Sequence, residues 1–337
     1  MSTQASQAQS GEREITFGQA IHEALSEEMR RDPTVFLIGE DVAEAGTPFK
    51  VLTGLVNEFG TDRVIDSPIS EAGIAGMGVG AAMTGLRPVV DIMFGDFITL
   101  TMDQMVNQAA KIHYMSGGKL QVPMVLRTTL GATRRSAAQH SQSLHAWFSH
   151  VPGLKVVVPS TPYDAKGLLK SAIRDNNPVV FFEDKLMYQM KGIVPEGEYT
   201  LPLGVADVKR EGTDITLVGT SSMVYVALGA AELLAAEGIS AEVIDVRTTS
   251  PLDKDALVAS ARKTTRAVVI DEGYEGYGVT AELAAVISDG AFHYLDAPVK
   301  RMGAMDVPVP FSPVLEDMTV PTPDRVAECA KELCGRG

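Results

Sequence analysis

Residues 66–97 read Asp66-Ser67-Pro68-Ile69-Ser70-Glu71-Ala72-Gly73-Ile74-Ala75-Gly76-Met77-Gly78-Val79-Gly80-Ala81-Ala82-Met83-Thr84-Gly85-Leu86-Arg87-Pro88-Val89-Val90-Asp91-Ile92-Met93-Phe94-Gly95-Asp96-Phe97. A helix-like run, 71–84, is followed almost at once by a strand-like run, 89–93, which ends in an aromatic Gly-Asp turn. Ser67 or Ser70 can cap the helix, and Pro68 suits its first turn. Everything after Glu71 is apolar or small for fifteen residues, so the helix is expected to be buried nearly all round. A carboxyl group at the mouth of such a helix loses water, and desolvation makes an acid a competent proton donor or hydrogen-bond partner.

The same alternation runs outward in both directions. Strands are expected at 35–38, 124–128, 155–158 and 179–182, and helices at 16–30, 102–115 and 164–173. Strand and helix patterns taking turns point to an α/β fold, a mainly parallel sheet with helices on both faces. Residues 193–203 then mix Pro195, Gly197 and Pro202 with polar residues, which reads as a connection. After it the pattern restarts, with strands at 215–218, 241–246, 267–271 and 299–302 and helices at 226–237, 254–261, 280–287 and 324–333. The expected division is a disordered tail at 1–12, a doubly wound domain at 13–192, a linker at 193–205 and a second doubly wound domain at 206–337.

Composition agrees with a large packed core. Of 337 residues, 45% are hydrophobic and 21% charged, which excludes disorder over most of the chain. Set against 43 acidic residues, 29 basic ones leave a net charge of −14, which argues against general binding to nucleic acid or anionic lipid. The uncharged stretches 72–86 and 215–231 are Gly-rich or Ser/Thr-bearing and short of a membrane span. The first dozen residues lack the apolar core of a signal peptide. Cys329 and Cys334 read as ordinary thiols of a cytoplasmic protein.

Two glycine clusters match a dinucleotide fingerprint loosely. Gly76-Met77-Gly78 lies inside a helical run, where small residues let two helices approach, and Gly276-Tyr277-Gly278 is crowded by Glu272 and Glu275. A nicotinamide-binding reading rests on these alone. His140, His145 and His150 are spaced by five and cannot share one helix face, so they make a poor metal site. Two other segments carry more. Phe94 and Phe97 flank the turn after a strand, where ligands of doubly wound sheets bind. The polar run from Arg127 to Gln142 follows a strand and reads as a site loop, with His140 set among Gln139, Ser141 and Gln142.

Taken together, several long motifs resemble one family. They are Ser67-Pro68-Ile69-Ser70-Glu71, Met102-Asp103-Gln104 with Asn107, Tyr114-Met115-Ser116-Gly117-Gly118, Ala138-Gln139-His140-Ser141-Gln142 and Pro152-Gly153-Leu154-Lys155-Val156-Val157-Val158-Pro159. The run is similar to the β subunit of the thiamine-diphosphate-dependent E1 component of 2-oxo acid and acetoin dehydrogenase complexes. That resemblance implies a transketolase-like pyrimidine-binding domain followed by a transketolase C-terminal-like domain. It implies that Glu71 hydrogen-bonds the cofactor's aminopyrimidine N1′, that Phe97 stacks on that ring with Phe94 lining the pocket, and that Glu40 lies near. It implies that His140 stands by the thiazolium and moves protons as the lipoyl group is acylated. Met124, Ala172, Asp175 and Asn177 match a potassium site built partly from backbone carbonyls. The family's Gly-Asp-Gly motif with a downstream Asn, which holds Mg²⁺ and the diphosphate, is missing from this chain. In the family that half-site lies on a separate α subunit, so the resemblance implies an α2β2 heterotetramer serving a lipoyl-bearing E2 acyltransferase. The segments 125–132, 181–185 and 209–212 look closest to the acetoin branch, with a pyruvate or other 2-oxo acid dehydrogenase as the alternative.

Overall fold

The structure, a computed structural model, describes residues 12–335. All but the last residue of the expected tail at 1–12 lies outside the described residues. Fourteen strands occur among them: β1 (Glu12–Thr16), β2 (Val35–Gly39), β3 (Val64–Asp66), β4 (Arg87–Ile92), β5 (Val125–Leu130), β6 (Lys155–Val157), β7 (Val179–Asp184), β8 (Lys191–Pro195), β9 (Asp207–Arg210), β10 (Ile215–Gly219), β11 (Ala241–Asp245), β12 (Thr248–Ser250), β13 (Ala267–Tyr274) and β14 (Lys300–Ala304). The larger sheet has the order β12-β6-β7-β5-β4-β2-β3, and the smaller β14-β13-β10-β11-β9. Pairing is parallel except for β12 against β6 and β9 against β11. β1 and β8 form a separate antiparallel ribbon.

Alternate residues of the larger sheet enter two different cores. Val89, Val125, Val157 and Val179 pack with the helices Phe17–Arg31 and Pro162–Arg174 on one face. Val90, Leu126, Val156 and Val180 pack on the other with Ile74, Val79 and Ala82 of the helix Glu71–Met83. Strands buried on both faces are what a parallel sheet wrapped by crossover helices requires. The second core also takes in Val218, Ile244 and Val269 from the smaller sheet, with Val246 just after β11, so apolar packing runs on between the two sheets.

All nine strands read from the sequence are present. The five others (β1, β3, β8, β9, β12) are ribbon or sheet-edge strands, which need no unbroken apolar run. β8 crosses the expected boundary at 192/193, and β12, from beyond the linker, completes the larger sheet. The helix expected over 102–115 is broken. A 3₁₀ turn, Gly95–Thr101, leads into a π-helical stretch, Asp103–Ala109, and then a short α-helix, Ala110–Met115. Such π turns are rare and recur near functional sites.

The helix Glu71–Met83 departs from expectation in two ways. Its N-cap residue is Ser70, but no side chain caps it; the Ser67 hydroxyl is buried without a partner, and Pro68 precedes the first turn. Nor is it buried all round: Ala72, Gly73 and Met77 are exposed, the last at 54%, because the helix is covered only where it meets the sheet and the segments Gly95–Thr101 and Asp103–Ala109. Its small residues serve that sheet contact as well as a helix contact. A Cβ on Gly78 would stand 2.5 Å from Val90 Cγ2, whereas one on Gly76 would stand 3.7 Å from Gln104 Cγ.

Candidate active site

Four neighbouring strands, β5, β4, β2 and β3, end on the same edge of the larger sheet, and each carboxyl end delivers one part of a site. Glu40 directly follows β2. Glu71 opens the helix after β3, and the Ser67 N–H donating to Gly39 O (2.9 Å) ties these two exits together. β4 runs into Phe94 and the 3₁₀ turn bearing Phe97, and β5 runs into the loop bearing His140. Gly95 makes the β4 exit possible, since a Cβ there would lie 2.1 Å from Thr129 O.

Phe94, Phe97 and His140 come together as an aromatic cluster. The imidazole centroid lies 4.8 Å from Phe94 and 5.3 Å from Phe97, nearly perpendicular to both rings. Edge-to-face packing of this kind fixes the plane of all three rings. Phe49 extends the cluster, 5.6 Å from Phe94 and 5.1 Å from Tyr188. Nothing in its sequence neighbourhood marked Phe49 as a site residue. Asp41, Thr47, Lys50, Thr133, Arg135 and Ala137 all take left-handed backbone conformations without being glycine. These six lie in the two loops carrying Glu40, Phe49 and His140, while Ser221, Arg247, Thr265 and Tyr277 take the same conformation elsewhere; such strain clusters where a binding site over-determines its backbone.

Two carboxyl groups lack protein partners. Glu71 is 8% exposed and makes no hydrogen bond to a described residue, and Glu40 Oε1 is buried and unpartnered. Burial first, and then the negative charge of Glu71, push the Glu40 carboxyl above the usual carboxylate range. Acids so placed are provisioned for a ligand that donates to them. An aminopyrimidine, flat and rich in nitrogen, fits aromatic walls with unspent acceptors beside them.

Arg127, which falls both in the expected strand 124–128 and at the head of the polar run 127–142, lies in mid-strand and is 3% exposed. Its guanidinium grips Glu183 on β7 (2.6 and 2.7 Å) and also donates to Asp91 on β4, while the Tyr188 hydroxyl donates to Glu183 (2.9 Å). Burial raises both acids and Arg127 opposes it. The site loop itself begins only after Leu130. Its far end is tied by Gln142, whose backbone N–H (3.2 Å) and side-chain amide (2.9 Å) donate to Asp96.

The three histidines spaced by five occupy three settings. His140 is in the cluster, His145 is buried against Asp271 (3.0 Å), and His150 is exposed. Met124, Ala172, Asp175 and Asn177 meet at one corner, away from the aromatic cluster, where the helix Pro162–Arg174 ends beside β7. Met124 O accepts from Val179 N–H (2.9 Å) and Ala172 O from Asp175 N–H (3.3 Å). The Asp175 carboxylate accepts from Asn177 N–H (2.8 Å) and also pairs with Lys155. Arg87 donates to Ile173 O and Asp175 O, both at 2.9 Å. Carbonyl and carboxylate oxygens, each with a second lone pair, suit a hard cation. Gly276-Tyr277-Gly278 is a plain strand-to-helix connection, with Gly278 at the N-cap of the helix Val279–Ala291. A cavity of about 570 Å³ beside His150, Lys254, Tyr277 and Glu282 includes none of Glu40, Glu71, Phe94, Phe97 and His140. No helix of the described residues is long and apolar enough to cross a membrane.

Comparison with known proteins identifies both domains of the chain. Residues 13–191 match the pyrimidine binding domain of transketolase, and residues 204–326 match the transketolase C-terminal domain. The chain is 54% identical to the acetoin:2,6-dichlorophenolindophenol oxidoreductase subunit beta of Bacillus subtilis (strain 168), covering 96% of this chain and 98% of that one. It is 47% identical to the mitochondrial pyruvate dehydrogenase E1 component subunit beta-1 of Oryza sativa subsp. japonica (96% and 88%), and 46% identical to the 2-oxoisovalerate dehydrogenase subunit beta of Bacillus subtilis (95% and 98%). A solved split-gene transketolase, an inactive beta4 tetramer, shares the fold with a TM-score of 0.77 at 23% identity, covering 95% of this chain and 98% of that one. With its two transketolase domains and these relatives, the chain belongs to the thiamine-diphosphate-dependent family as an E1 β subunit of the 2-oxo acid and acetoin dehydrogenase class.

Proposed function

We propose that this β subunit serves an E1 that cleaves acetoin, releases acetaldehyde and passes the acetyl group to the lipoyl arm of an E2 acyltransferase. The observation that supports the thiamine site is an aromatic cluster and two carboxyls, Glu40 and Glu71, delivered by the carboxyl ends of adjacent strands. The 54% identity to the acetoin subunit, above the 46–47% to the 2-oxo acid subunits, supports the substrate.

Thiamine diphosphate, when bound, supplies the nucleophilic carbon that no side chain of the site offers. Glu71 would hydrogen-bond the aminopyrimidine N1′ and share a proton with it, with Glu40 close enough for the two acids to influence each other. Phe97 and Phe94 would hold the ring in plane and keep water off it. His140 would carry a proton when the acetyl group leaves for the lipoyl arm. Mg²⁺ and the diphosphate fall to a separate α subunit, a reading supported by the missing Gly-Asp-Gly motif. Exposed apolar residues suit such a partner, Ile69 just before the helix Glu71–Met83, Met77 on it and Leu100 on the 3₁₀ turn packed against it, giving an α2β2 assembly.

The test is dye reduction by the co-purified α/β complex with thiamine diphosphate and Mg²⁺, comparing acetoin with pyruvate. A preference for acetoin is expected. A preference for pyruvate would move the assignment to a pyruvate dehydrogenase E1, and activity of the β chain alone would sink the half-site argument. We further propose that potassium binds at Met124, Ala172, Asp175 and Asn177, beside Arg87. The complex should then melt higher in potassium chloride than in choline chloride of equal ionic strength, by the linkage that adds about 2.7 kcal/mol at a hundred times Kd. Equal melting in both salts would remove the site.

A further inference from the structure

Lys185 follows β7 directly, within the 181–185 run that looked like the acetoin branch. It is 1% exposed. Its ammonium group donates to the backbone carbonyl of His140 and lies 5.7 Å from the centre of the Phe94 ring. Burial lowers its pKa, while Asp96, Glu272 and Asp184 favour its charged form and Arg134 opposes them. A buried cation with only a carbonyl and a ring face for direct contacts is costly unless acids surround it.

Those acids are themselves anchored to the loop that carries His140. Glu272 of β13 accepts the backbone N–H of Ala132 at the loop's start. Gly131, with a φ of +105°, passes so close that a Cβ would lie 3.1 Å from Glu272 and 3.2 Å from Asp184. Beyond the loop's end, His145 pairs with Asp271 of the same strand, which also takes the Thr220 hydroxyl. The loop is thus held at its two ends by consecutive acids from the smaller sheet. Between them the His140 backbone is held by Lys185, while Gln142 is tied to Asp96.

We propose that Lys185 is a positioning residue for His140: by gripping the His140 carbonyl and seating against Phe94, its ammonium sets where the imidazole stands in the site. The proposal rests on the thiamine-site reading above. The direct contacts of the Lys185 ammonium are the His140 carbonyl and the Phe94 ring. Its effect is geometric, and misplacing a reacting group by about an ångström can cost on the order of a hundredfold in rate.

A double-mutant cycle in the α/β complex tests it, with kcat and KM measured in dye reduction and in the lipoyl-coupled reaction. Lys185→Met should lower kcat about tenfold, within that range, with KM little changed. Lys185→Arg should restore most of the loss. On a His140→Ala background, Lys185→Met should cost less than about twofold, since there is no imidazole left to place. If Lys185→Met fails to assemble, Lys185→Gln enters the same cycle under the same criteria. Equal losses with and without the His140 ring, or a Lys185→Met enzyme as active as the wild type, would overturn the proposal while leaving the thiamine site standing. A wild-type complex with no thiamine-diphosphate-dependent activity would sink both.

Discussion

Glu71→Gln is expected to lower turnover of the α/β enzyme by about 10²–10⁴-fold, the usual cost of losing a positioned acid–base group. The substitution keeps the size and shape of the side chain. It removes only the charge and the ability to share a proton with a ring nitrogen. Glu71 has no hydrogen bond to lose among the described residues, so the fold should not register the change. The Glu40 carboxyl should then drop back toward its usual range, because the Glu71 charge is one of the forces raising it. Thiamine diphosphate affinity, measured by titration calorimetry on the complex, should weaken far less than turnover. A Glu71→Gln enzyme with full activity would show that this carboxyl takes no part in the chemistry and would leave the chain a role in assembly.

The second large effect concerns stability. Arg127→Met should destabilise the β subunit by about 3–5 kcal/mol in urea unfolding, because two buried carboxylates lose their common partner. The pH dependence has a definite sign. Asp91 and Glu183 are already raised by burial, and removing the guanidinium raises them further. A group whose folded pKa lies above its unfolded value stabilises most below the unfolded value, and that contribution is lost as pH rises through the folded one. The variant should therefore be most stable in mild acid, near the unfolded carboxyl pKa values of about 4, and weaken toward neutrality. Adding Asp91→Asn and Glu183→Gln should recover part of the loss at neutral pH. A single variant within about 1 kcal/mol of wild type, below that range, would mean the triad is not a buried charge cluster in solution.

Local pattern carried the fold to the sequence reader, and distance hid the rest. Val89 and Val90, or Val179 and Val180, announce strands because both neighbours are apolar, which only a sheet covered on two faces demands. Arg127 fell in the expected strand 124–128 and also opened the polar run 127–142, and nothing in the sequence marked it as a buried charge. Its partners stand 36 and 56 residues away and leave no local trace. The helix Glu71–Met83 looked buried on every side because its composition is apolar throughout, yet one face is bare in the isolated chain. Of the site, Glu40, Glu71, Phe94, Phe97 and His140 were legible through their motifs, and the structure brings Phe94, Phe97 and His140 into contact. Phe49 and Lys185 were not singled out individually, since what makes them matter is the company they keep across strands.

The antiparallel pairing of β12 with β6 has a bearing on how the polypeptide is made. As the chain leaves the ribosome, six strands of the larger sheet are complete once residue 184 has emerged. The backbone groups of β6 on that side then wait for residues 248–250. Until those arrive, the nascent protein presents an open strand edge, the kind of surface that recruits strands from other chains. A fragment ending in the connection after β8 would carry that edge permanently. It should need a chaperone or aggregate, even though it contains every residue of the aromatic cluster and both acids.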